Sequence, residues 1–455
     1  MRFGLPFHGW QGRRPWSGIY SGATMAQIVI AMKPGELGHL NCSFGLMTGV
    51  QRLGHAVTYL APASEEVAIR ARGFGFRLLQ TRLSSADFAC DLFVADQTLP
   101  AAAVLALYHG YPCINLSTTL PPSREYSPAW SSRIPDDSLP YQAIRNMEAL
   151  VDKLLVRPAR VWREIRTGDG GPWSHKLPGI SRDKRLVVAL KRLKSMVTLV
   201  ACPVEFQFRQ LGSDGGRSNH IYIDPCVDFS RSSEPFESAW YPDGVVRICA
   251  ALGSGSTATG ARLSRLLLQT MRRRSDWSMV LATGGSVPLG DLGPIPANVH
   301  VANSIPQLAV LRHADLMITH CGLNSVKESI CAGVPMVGLP IRRDQPSIGA
   351  RIRDHELGAV TTPHLLGSRK LERVIDHVLS TPRYRENVQR MQRRFANSIE
   401  AQTGARLIHE IVRRTAAASD ASPGIGAIPP SKPASSRRVG DDLAQSVTTG
   451  KTLKI

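Results

Sequence analysis

Four residues suited to anion binding directly follow one short apolar stretch of the chain. The stretch LMIT, residues 316–319, predicts a buried strand, and His320, Gly322, Asn324 and Ser325 come after it. The sequence beyond the glycine predicts a helix whose first backbone N–H groups have no partner within the helix. Such N–H groups, the positive end of the helix dipole and small polar side chains are what a diphosphate needs. We therefore interpret these residues as a diphosphate site.

Three further polar residues are expected to reach the same ligand. Glu328 lies one turn into the predicted helix, and its carboxylate suits a ribose diol. Asp344 and Gln345 follow the next apolar stretch, PMVGL, and offer acceptors and donors for sugar hydroxyls. Because parallel strands end at one edge of a sheet, all of these residues are expected at that edge. The turn taken alone also fits a simpler interpretation, in which a strand, a turn and a capped helix bind no ligand.

A histidine near the start of the chain is the candidate general base. His39 lies in a glycine-bearing loop after the stretch AQIVIAM, and an imidazole can take up a proton near neutral pH. Asp96 ends the stretch DLFVAD at the same expected edge, where its carboxylate can fix the imidazole tautomer. Asp91 begins that stretch and His55 lies in a helix-to-strand turn, so both are expected at the opposite edge. A structural histidine and a helix-capping aspartate are the alternatives.

Apolar stretches of strand length alternate with helical patterns along the chain. Four such stretches precede residue 120 and five follow residue 245, which predicts two α/β domains with parallel sheets. A chain of 455 residues, 43% of them apolar, is long enough for both cores. The predicted segments are an extension without a fold (1–24), a first domain (25–224), a linker (225–244), a second domain (245–385), a final helical stretch (386–415) and a disordered tail (416–455).

A resemblance to the donor-binding signature of the UDP-glycosyltransferase superfamily is carried by the run HCGLNSVKESICAGVPMVGLPIRRDQ. The run is most similar to that of bacterial macrolide, sterol and carotenoid glycosyltransferases, in which DQPxxxARI also recurs. The resemblance implies the GT-B fold, two facing Rossmann-like domains with parallel sheets and a cleft between them. It implies that the final helical stretch crosses back to the first domain. The contacts that it implies are the diphosphate with His320, Asn324 and Ser325, the ribose with Glu328, and the transferred sugar with Asp344 and Gln345.

Two other segments extend the resemblance. ALGSGSTATG is similar to the loop whose Gly-Ser pair contacts the diphosphate in the superfamily, which adds Gly253 and Ser254 to the donor site. GHLNCSFGL is similar to the loop that carries the catalytic histidine, here His39. The activating aspartate of the superfamily stands before an alanine-rich helix, as Asp96 does before AAAVLALY. The resemblance therefore implies that these two residues form the catalytic dyad.

The chain departs from the plant members of the superfamily at the nucleobase. An aromatic residue two positions before Pro-Gln stacks on the uracil in those members, and NSIPQ has Ser304 there. The base is therefore expected against the backbone around Ile305 and against Gln307. UDP is the favoured nucleotide, and TDP is the alternative.

The implied reaction is a single displacement that inverts the anomeric carbon of a nucleotide sugar, with UDP-glucose favoured over a TDP-sugar. His39 would deprotonate a hydroxyl of a lipophilic acceptor such as a polyketide, carotenoid or sterol, bound largely by residues 126–173. We expect no cofactor beyond the nucleotide sugar as co-substrate. We also expect no metal, because the chain has no Asp-x-Asp or paired-histidine motif and a helix N-terminus can stabilise the leaving diphosphate.

Two other functions stay open from the sequence. Gly253, Gly255 and Ala258 fit the dinucleotide fingerprint of an NAD-dependent oxidoreductase, although the next apolar stretch does not end in the acidic residue that such a site requires. A catalytically silent, glycosyltransferase-like partner protein would retain the same fold. Loss of transfer on replacement of His39, and stabilisation by nucleotide sugars or by NAD, would discriminate among the three.

Charge and cysteine content limit the partners and the compartment. The net charge of +19 includes clusters at residues 184–194, 272–274 and 342–343, which fit either peripheral membrane contact or plain solubility. No nucleic-acid motif accompanies them, so specific nucleic-acid binding is not expected. The eight cysteines contain no Cys-x-x-Cys pair, and no apolar stretch reaches the roughly 20 residues that cross a bilayer. A cytoplasmic protein with reduced thiols, on occasion peripheral to the inner face of the membrane, is expected.

Overall fold

The computed structural model describes most of the two predicted domains. The described residues are 25–79, 89–120, 184–208, 219–233, 235–253, 258–285, 287–341, 343–364 and 366–420. The N-terminal extension, the acceptor segment 126–173, Ser254 and residues 421–455 lie outside them, and so do the predictions made for them.

A parallel sheet of seven strands forms the first domain, in the order β3-β2-β1-β4-β5-β6-β7. Its central strands are apolar on both faces, since Ile28, Phe93 and Val94 are all fully buried, and such strands need cover on both sides. The strands are β1 (Gln27–Ala31), β2 (Ala56–Ala61), β3 (Gly75–Leu78), β4 (Leu92–Asp96), β5 (Cys113–Ser117), β6 (Thr198–Val200) and β7 (His220–Tyr222).

A parallel sheet of six strands forms the second domain, in the order β10-β9-β8-β11-β12-β13. The chain order reverses direction beside β8, and polar residues at the ends of β8 and β11 therefore face one crevice. The strands are β8 (Val246–Ala251), β9 (Trp277–Ala282), β10 (Val299–Ala302), β11 (Leu316–Thr319), β12 (Met336–Gly338) and β13 (Gly358–Val360).

The α-helices cover the faces of both sheets and connect successive parallel strands. They are α1 (Leu37–Arg52), α2 (Glu66–Arg70), α3 (Pro100–Tyr108), α4 (Lys184–Ser195), α5 (Ala258–Met271), α6 (Gln307–Leu311), α7 (Leu323–Ala332), α8 (Gln345–Asp354), α9 (Ser368–Ser380), α10 (Pro382–Ala401) and α11 (Thr403–Asp420). The predicted end of α7 is confirmed, because Gly333 follows it with φ at 71°, in the left-handed region that favours glycine.

Two sequence predictions differ from the structure. His39 was predicted in a loop, but α1 begins at Leu37 and the backbone N–H of His39 donates to the carbonyl of Glu36, so the histidine lies in the first helical turn. The final helical stretch is two helices, because Gln402 adopts φ of 48° between α10 and α11. The second of them continues beyond residue 416, where the tail was predicted to begin, since an alanine run favours helix.

The C-terminal helices join the two domains. Helix α10 packs on α7 in the second domain, where the Gln392 side chain donates to the carbonyl of Cys331 at 2.7 Å. Helix α11 packs on α1 in the first domain, and Ala405, Ile408 and Val412 are buried in that core. The described part of the chain therefore begins in the first domain and ends packed against it.

A buried lysine also bridges the domains. Lys327 in α7 is 1% exposed, and its ammonium donates to the carbonyl of Ala201, after β6, at 2.8 Å. The same nitrogen lies 3.3 Å from Sγ of Cys42 in α1. The helix that begins the expected diphosphate site is thus fixed against the helix that carries His39.

Part of the positive charge is neutralised by neighbouring carboxylates. Arg273 pairs with Glu372 at 2.9 Å, and Arg274 pairs with both Asp276 and Asp376 at 2.7 Å. Surface pairs of this kind contribute little to stability, but they make these side chains less available to an anionic surface. Peripheral membrane contact stays a prediction.

The thiols and the helices agree with two of the sequence observations. All eight cysteines are free, and six of them are buried. None of the helices in the described ranges has the length and apolar character that crossing a membrane requires.

Replacement of Gly45 by alanine is expected to destabilise the contact between α1 and the linker. A methyl group there would lie 2.8 Å from the backbone carbon of Cys226 and 2.9 Å from the carbonyl oxygens of Cys226 and Val227. Relief requires a backbone shift, which costs about 1–3 kcal/mol of unfolding free energy. Chemical denaturation measures the loss. Gly290→Ala, where the methyl group meets no atom within 4 Å, is the control, and equal stability of the two variants would contradict this packing.

Candidate functional site

A cavity of about 720 Å³ lies between the two sheets and collects nearly all of the predicted site residues. The first domain contributes the loop before α1 and its first turn, and the second contributes the ends of β8 to β12. The predicted residues that line it are His39, Gly253, Ile305, Gln307, His320, Gly322, Asn324, Ser325, Glu328, Asp344 and Gln345. Asp96 lies behind the histidine, and Ser254 is outside the described residues.

The histidine and the aspartate of the predicted dyad are in direct contact. His39 Nδ1 lies 2.6 Å from Oδ2 of Asp96, whose side chain is fully buried, whereas 14% of the histidine side chain is exposed. Thr118 Oγ1 lies 2.9 Å from the same Nδ1. An ionised aspartate can only accept, so the proton lies on Nδ1 and the lone pair of Nε2 is available on the cavity side.

The surroundings of Asp96 keep it ionised. Burial opposes ionisation, but the hydrogen bond and charge of His39 and the hydrogen bonds of Thr98 outweigh it, and the pKa of Asp96 lies below its ordinary value. The backbone N–H and hydroxyl of Thr98 donate to Oδ1 at 2.8 and 2.7 Å, and the backbone N–H of Lys33 donates to Oδ2 at 3.2 Å. The carboxylate is therefore a fixed acceptor for the imidazole.

The N-terminus of α7 opens into the opposite side of the cavity. Its N-cap residue is Gly322, and no side chain caps the first backbone N–H groups. Leu323, Asn324 and Ser325, which form the first turn, all line the cavity. Uncapped N–H groups and the helix dipole make this turn suitable for an anion.

Two glycines make room for the ring of His320. A methyl group at Gly253 would lie 2.7 Å from Nε2 of the ring, and one at Gly322 would lie 2.5 Å from it. Gly253 also has φ at 86°, which a side chain disfavours. Nδ1 of the ring lies 3.3 Å from the carbonyl oxygen of Ala251. Gly253, which fits the dinucleotide fingerprint, thus makes room for a histidine. Its presence is explained without a dinucleotide site.

The side chain of Asn324 has a partner that the sequence did not reveal. Its Nδ2 donates to the carbonyl of Gly38 at 2.5 Å, so the amide links α7 to the first turn of α1. Its Oδ1 is buried and has no hydrogen-bond partner among the described residues. The amide nitrogen carries a second N–H, so the predicted diphosphate contact of this side chain stays a prediction.

Three side chains that line the cavity hold one another. Glu328 accepts from Arg231 Nη1 at Oε1, at 2.8 Å, and from Gln307 Nε2 at Oε2, at 2.6 Å. The predicted contact of Gln307 with the base stays a prediction, because its amide can donate to the carboxylate and still offer its other N–H and its oxygen. Arg231, in the linker, was not a candidate from the sequence.

The expected sugar contacts are at the start of α8. Gln345 is the first residue of the helix, and its Oε1 accepts the backbone N–H of Ile341 at 2.8 Å. Arg343, which precedes Asp344, reaches across the cleft and pairs with Glu36 at 3.2 Å. Burial raises the pKa of Asp344 above its ordinary value, and the nearby charges of His39 and Arg343 offset only part of that effect.

The sequence analysis missed Thr118 and Arg231, and only Thr118 could have been found from the sequence. Thr118 directly follows β5, so the same rule that places Asp96 at the carboxyl edge would have placed it there. Arg231 lies in a 3-10 helix of the linker, Phe229–Ser233, and no motif surrounds it. Only the fold brings it within reach of Glu328.

Replacement of Asp344 by asparagine is expected to raise the melting temperature at neutral pH. The unfolded chain has an aspartate pKa near 4, and the folded value is raised. Through that window the folded state binds more protons than the unfolded state, so stability falls as pH rises. Asparagine does not ionise, so the variant does not lose this stability as pH rises. Thermal denaturation should show a stabilised variant at pH 7 and no difference near pH 3, whereas equal melting temperatures at both pH values would contradict the cost of burying this carboxylate.

The family model of UDP-glucoronosyl and UDP-glucosyl transferase matches residues 293–397. These residues include the turn before α7 and the start of α8. Demethyllactenocin mycarosyltransferase from Streptomyces fradiae is 24% identical over 411 residues, which are 81% of this chain and 82% of that enzyme. Residues 293–397 therefore match a UDP-glycosyltransferase family model, and most of the chain is similar to a bacterial glycosyltransferase.

Other similar proteins and solved structures extend the match. Zeaxanthin glucosyltransferase from Pantoea ananas is 28% identical over 310 residues, which are 64% of this chain and 66% of that enzyme. The glycosyltransferase of kitacinnamycin superposes with a TM-score of 0.63 at 22% identity, over 86% of this chain and 99% of that one. A calicheamicin glycosyltransferase gives 0.59 at 21% identity, over 87% and 99%. The predicted GT-B fold is confirmed.

The similar sequences are named glycosyltransferases and the fold is that of glycosyltransferases, so the protein is a glycosyltransferase. The oxidoreductase and the silent partner protein therefore give way as alternatives. In the described part of the chain, no group of three or more His, Cys, Asp or Glu side chains is arranged to hold a metal ion. That the reaction needs no metal, and no cofactor besides the nucleotide sugar, stays a prediction.

Proposed function

We propose that the protein transfers a hexose from a nucleotide sugar to a hydroxyl group of a lipophilic small molecule, with inversion at the anomeric carbon and without a metal. UDP-glucose is the donor favoured by the sequence, and a TDP-sugar is the alternative. The observation that carries the proposal is the single cavity with the His39–Asp96 pair on one side and the uncapped N-terminus of α7 on the other. A base and an anion site that face each other are what a displacement at a nucleotide sugar requires.

In the proposed reaction, Nε2 of His39 takes the proton of the acceptor hydroxyl as its oxygen attacks the anomeric carbon. The bond from that carbon to the diphosphate oxygen breaks on the opposite face, and its electron pair leaves with the nucleoside diphosphate. Asp96 stabilises the imidazolium that forms and holds it in one tautomer. Each of these steps uses a group that contacts or supports the cavity.

The leaving diphosphate would lie against the second domain. The backbone N–H groups at the start of α7 and the ring of His320 both line the cavity there, and Gly253 lies beside that ring. Glu328, Gln307, Asp344 and Gln345 line the same cavity, and in the proposal the first two meet the nucleoside and the last two meet the sugar. The helix dipole stabilises the charge that develops on the diphosphate as the bond breaks.

A lipophilic acceptor is supported by one residue of the chain and by two relatives. Leu37, next to the catalytic turn, lines the cavity and keeps 55% of its surface exposed. A lipophilic acceptor would gain apolar contact with this side chain. The names of two relatives refer to demethyllactenocin and to zeaxanthin.

Reactions with UDP-glucose or TDP-glucose and a panel of hydroxylated polyketides, carotenoids and sterols test the proposal, with mass spectrometry to detect the product and NMR spectroscopy to assign its anomeric configuration. The expected result is a glycoside with inverted anomeric configuration, which still forms when a chelator is present. Thermal shift with the nucleotides and with NAD accompanies it. Stabilisation by NAD alone, or a product of retained configuration, would contradict the proposed function.

A further inference from the structure

The carboxylate expected to bind the ribose is already engaged at both oxygens. Arg231 donates to Oε1 of Glu328 at 2.8 Å, and Gln307 donates to Oε2 at 2.6 Å. The Glu328 side chain is 9% exposed and that of Arg231 is 14% exposed, so the pair covers most of the carboxylate. All three residues line the cavity.

We propose that Arg231 is a specificity-determining residue that removes the usual advantage of a ribose 2′-hydroxyl, so that 2′-deoxyribonucleoside donors bind as well as ribonucleoside donors. The proposal rests on the proposed function, because it takes Glu328 as the residue that meets the pentose. It concerns the class of nucleotide sugar and leaves the transfer chemistry unchanged.

The physical reason is competition for one carboxylate. A ribose diol binds a carboxylate best when each hydroxyl donates to its own oxygen, and a hydrogen bond to a charged group contributes about 1.5–3 kcal/mol. In this protein a guanidinium and an amide already donate to those oxygens. One hydroxyl can still use a remaining lone pair, but a second one gains little over the donor that it must displace.

Arg231 is held in this position by the linker. Asp228 accepts from the backbone N–H and hydroxyl of Ser230 at 3.1 and 2.6 Å, which fixes the start of the 3-10 helix. The other oxygen of Asp228 pairs with Arg72 of the first domain at 2.8 Å. These contacts fix the backbone from which the Arg231 side chain reaches the carboxylate, and in the proposal the pair persists when a nucleotide enters the cavity.

The test is a comparison of UDP, 2′-deoxy-UDP and TDP by isothermal titration calorimetry. UDP and 2′-deoxy-UDP differ only in the 2′-hydroxyl, and 2′-deoxy-UDP and TDP differ only in the methyl group of the base. For the wild type, the Kd values of UDP and 2′-deoxy-UDP are expected to agree within about threefold. For Arg231→Met, which frees one oxygen of Glu328, UDP is expected to bind about tenfold more tightly than 2′-deoxy-UDP.

Arg231→Lys is the matched variant, because an ammonium can still occupy the carboxylate and should keep the ratio near that of the wild type. The ratio is internal to each protein, so a general loss of affinity in Arg231→Met does not affect it. A tenfold preference of the wild type for UDP over 2′-deoxy-UDP would overturn the inference even if the variant failed to fold. An unchanged ratio in Arg231→Met would overturn it as well. Absence of binding by all three nucleotides would instead overturn the proposed function, and the inference with it.

Discussion

Replacement of His39 by alanine is expected to lower the rate of glycoside formation about 10²- to 10⁴-fold. The substitution removes the only imidazole that combines a buried carboxylate partner, Asp96 at 2.6 Å, with a position on the first-domain side of the described cavity. Binding of the nucleotide should persist, because the expected diphosphate contacts come from the second domain. Initial rates at saturating donor, together with calorimetry of UDP, separate the two effects.

The control for this variant is His377→Ala. His377 is an exposed histidine of α9, away from the residues that line the cavity, and its loss should leave the rate unchanged. Turnover of His39→Ala within a few-fold of the wild type would remove the proposed base. Loss of UDP binding in His39→Ala would show instead that the histidine serves the donor.

Replacement of Asp96 by asparagine is expected to lower the rate about 10²-fold or more. An amide that donates to Nδ1 places the imidazole proton on Nε2, where the acceptor hydroxyl must deliver its own proton. Thr118→Val, which removes only the second contact of Nδ1, should have a smaller effect, about tenfold or less, because the carboxylate still fixes the tautomer. Steady-state kinetics across pH measures both variants.

The double variant His39→Ala with Asp96→Asn provides the check on this interpretation. Since the aspartate acts through the histidine, the double variant should be no slower than His39→Ala alone. Additive losses would show that Asp96 acts on the reaction by a separate route. Retention of full activity in Asp96→Asn would contradict the dyad.

Sequence reasoning located those site residues that lie at the carboxyl ends of parallel strands. Parallel strands place the residues at their carboxyl ends at a common edge, and this rule located His320 and Asp344 at the cavity and Asp96 directly behind His39. Strands such as β4, β11 and β12 were recognisable because each lies in a continuous apolar stretch of the sequence. The three-residue strands β6, β7 and β13 were not predicted, since so short a segment has no readable period.

Contacts between the domains were beyond the reach of the sequence. Asn324 looked like a phosphate ligand, and only the packed structure shows its amide on Gly38, which is 286 residues away in sequence. Arg231 and Glu328 are separated by 97 residues and belong to no shared motif. Their pairing depends on how the linker returns along the cleft, which is a property of tertiary packing and not of local pattern.

A crystal structure of the protein with UDP or TDP bound tests most directly whether the two halves of the cleft form one catalytic site. The diphosphate should accept hydrogen bonds from the backbone N–H groups at the start of α7, with Nε2 of His39 facing the position of the transferred sugar. A nucleotide bound elsewhere, or one bound at α7 with the imidazole directed away from the cavity, would contradict the single-site mechanism.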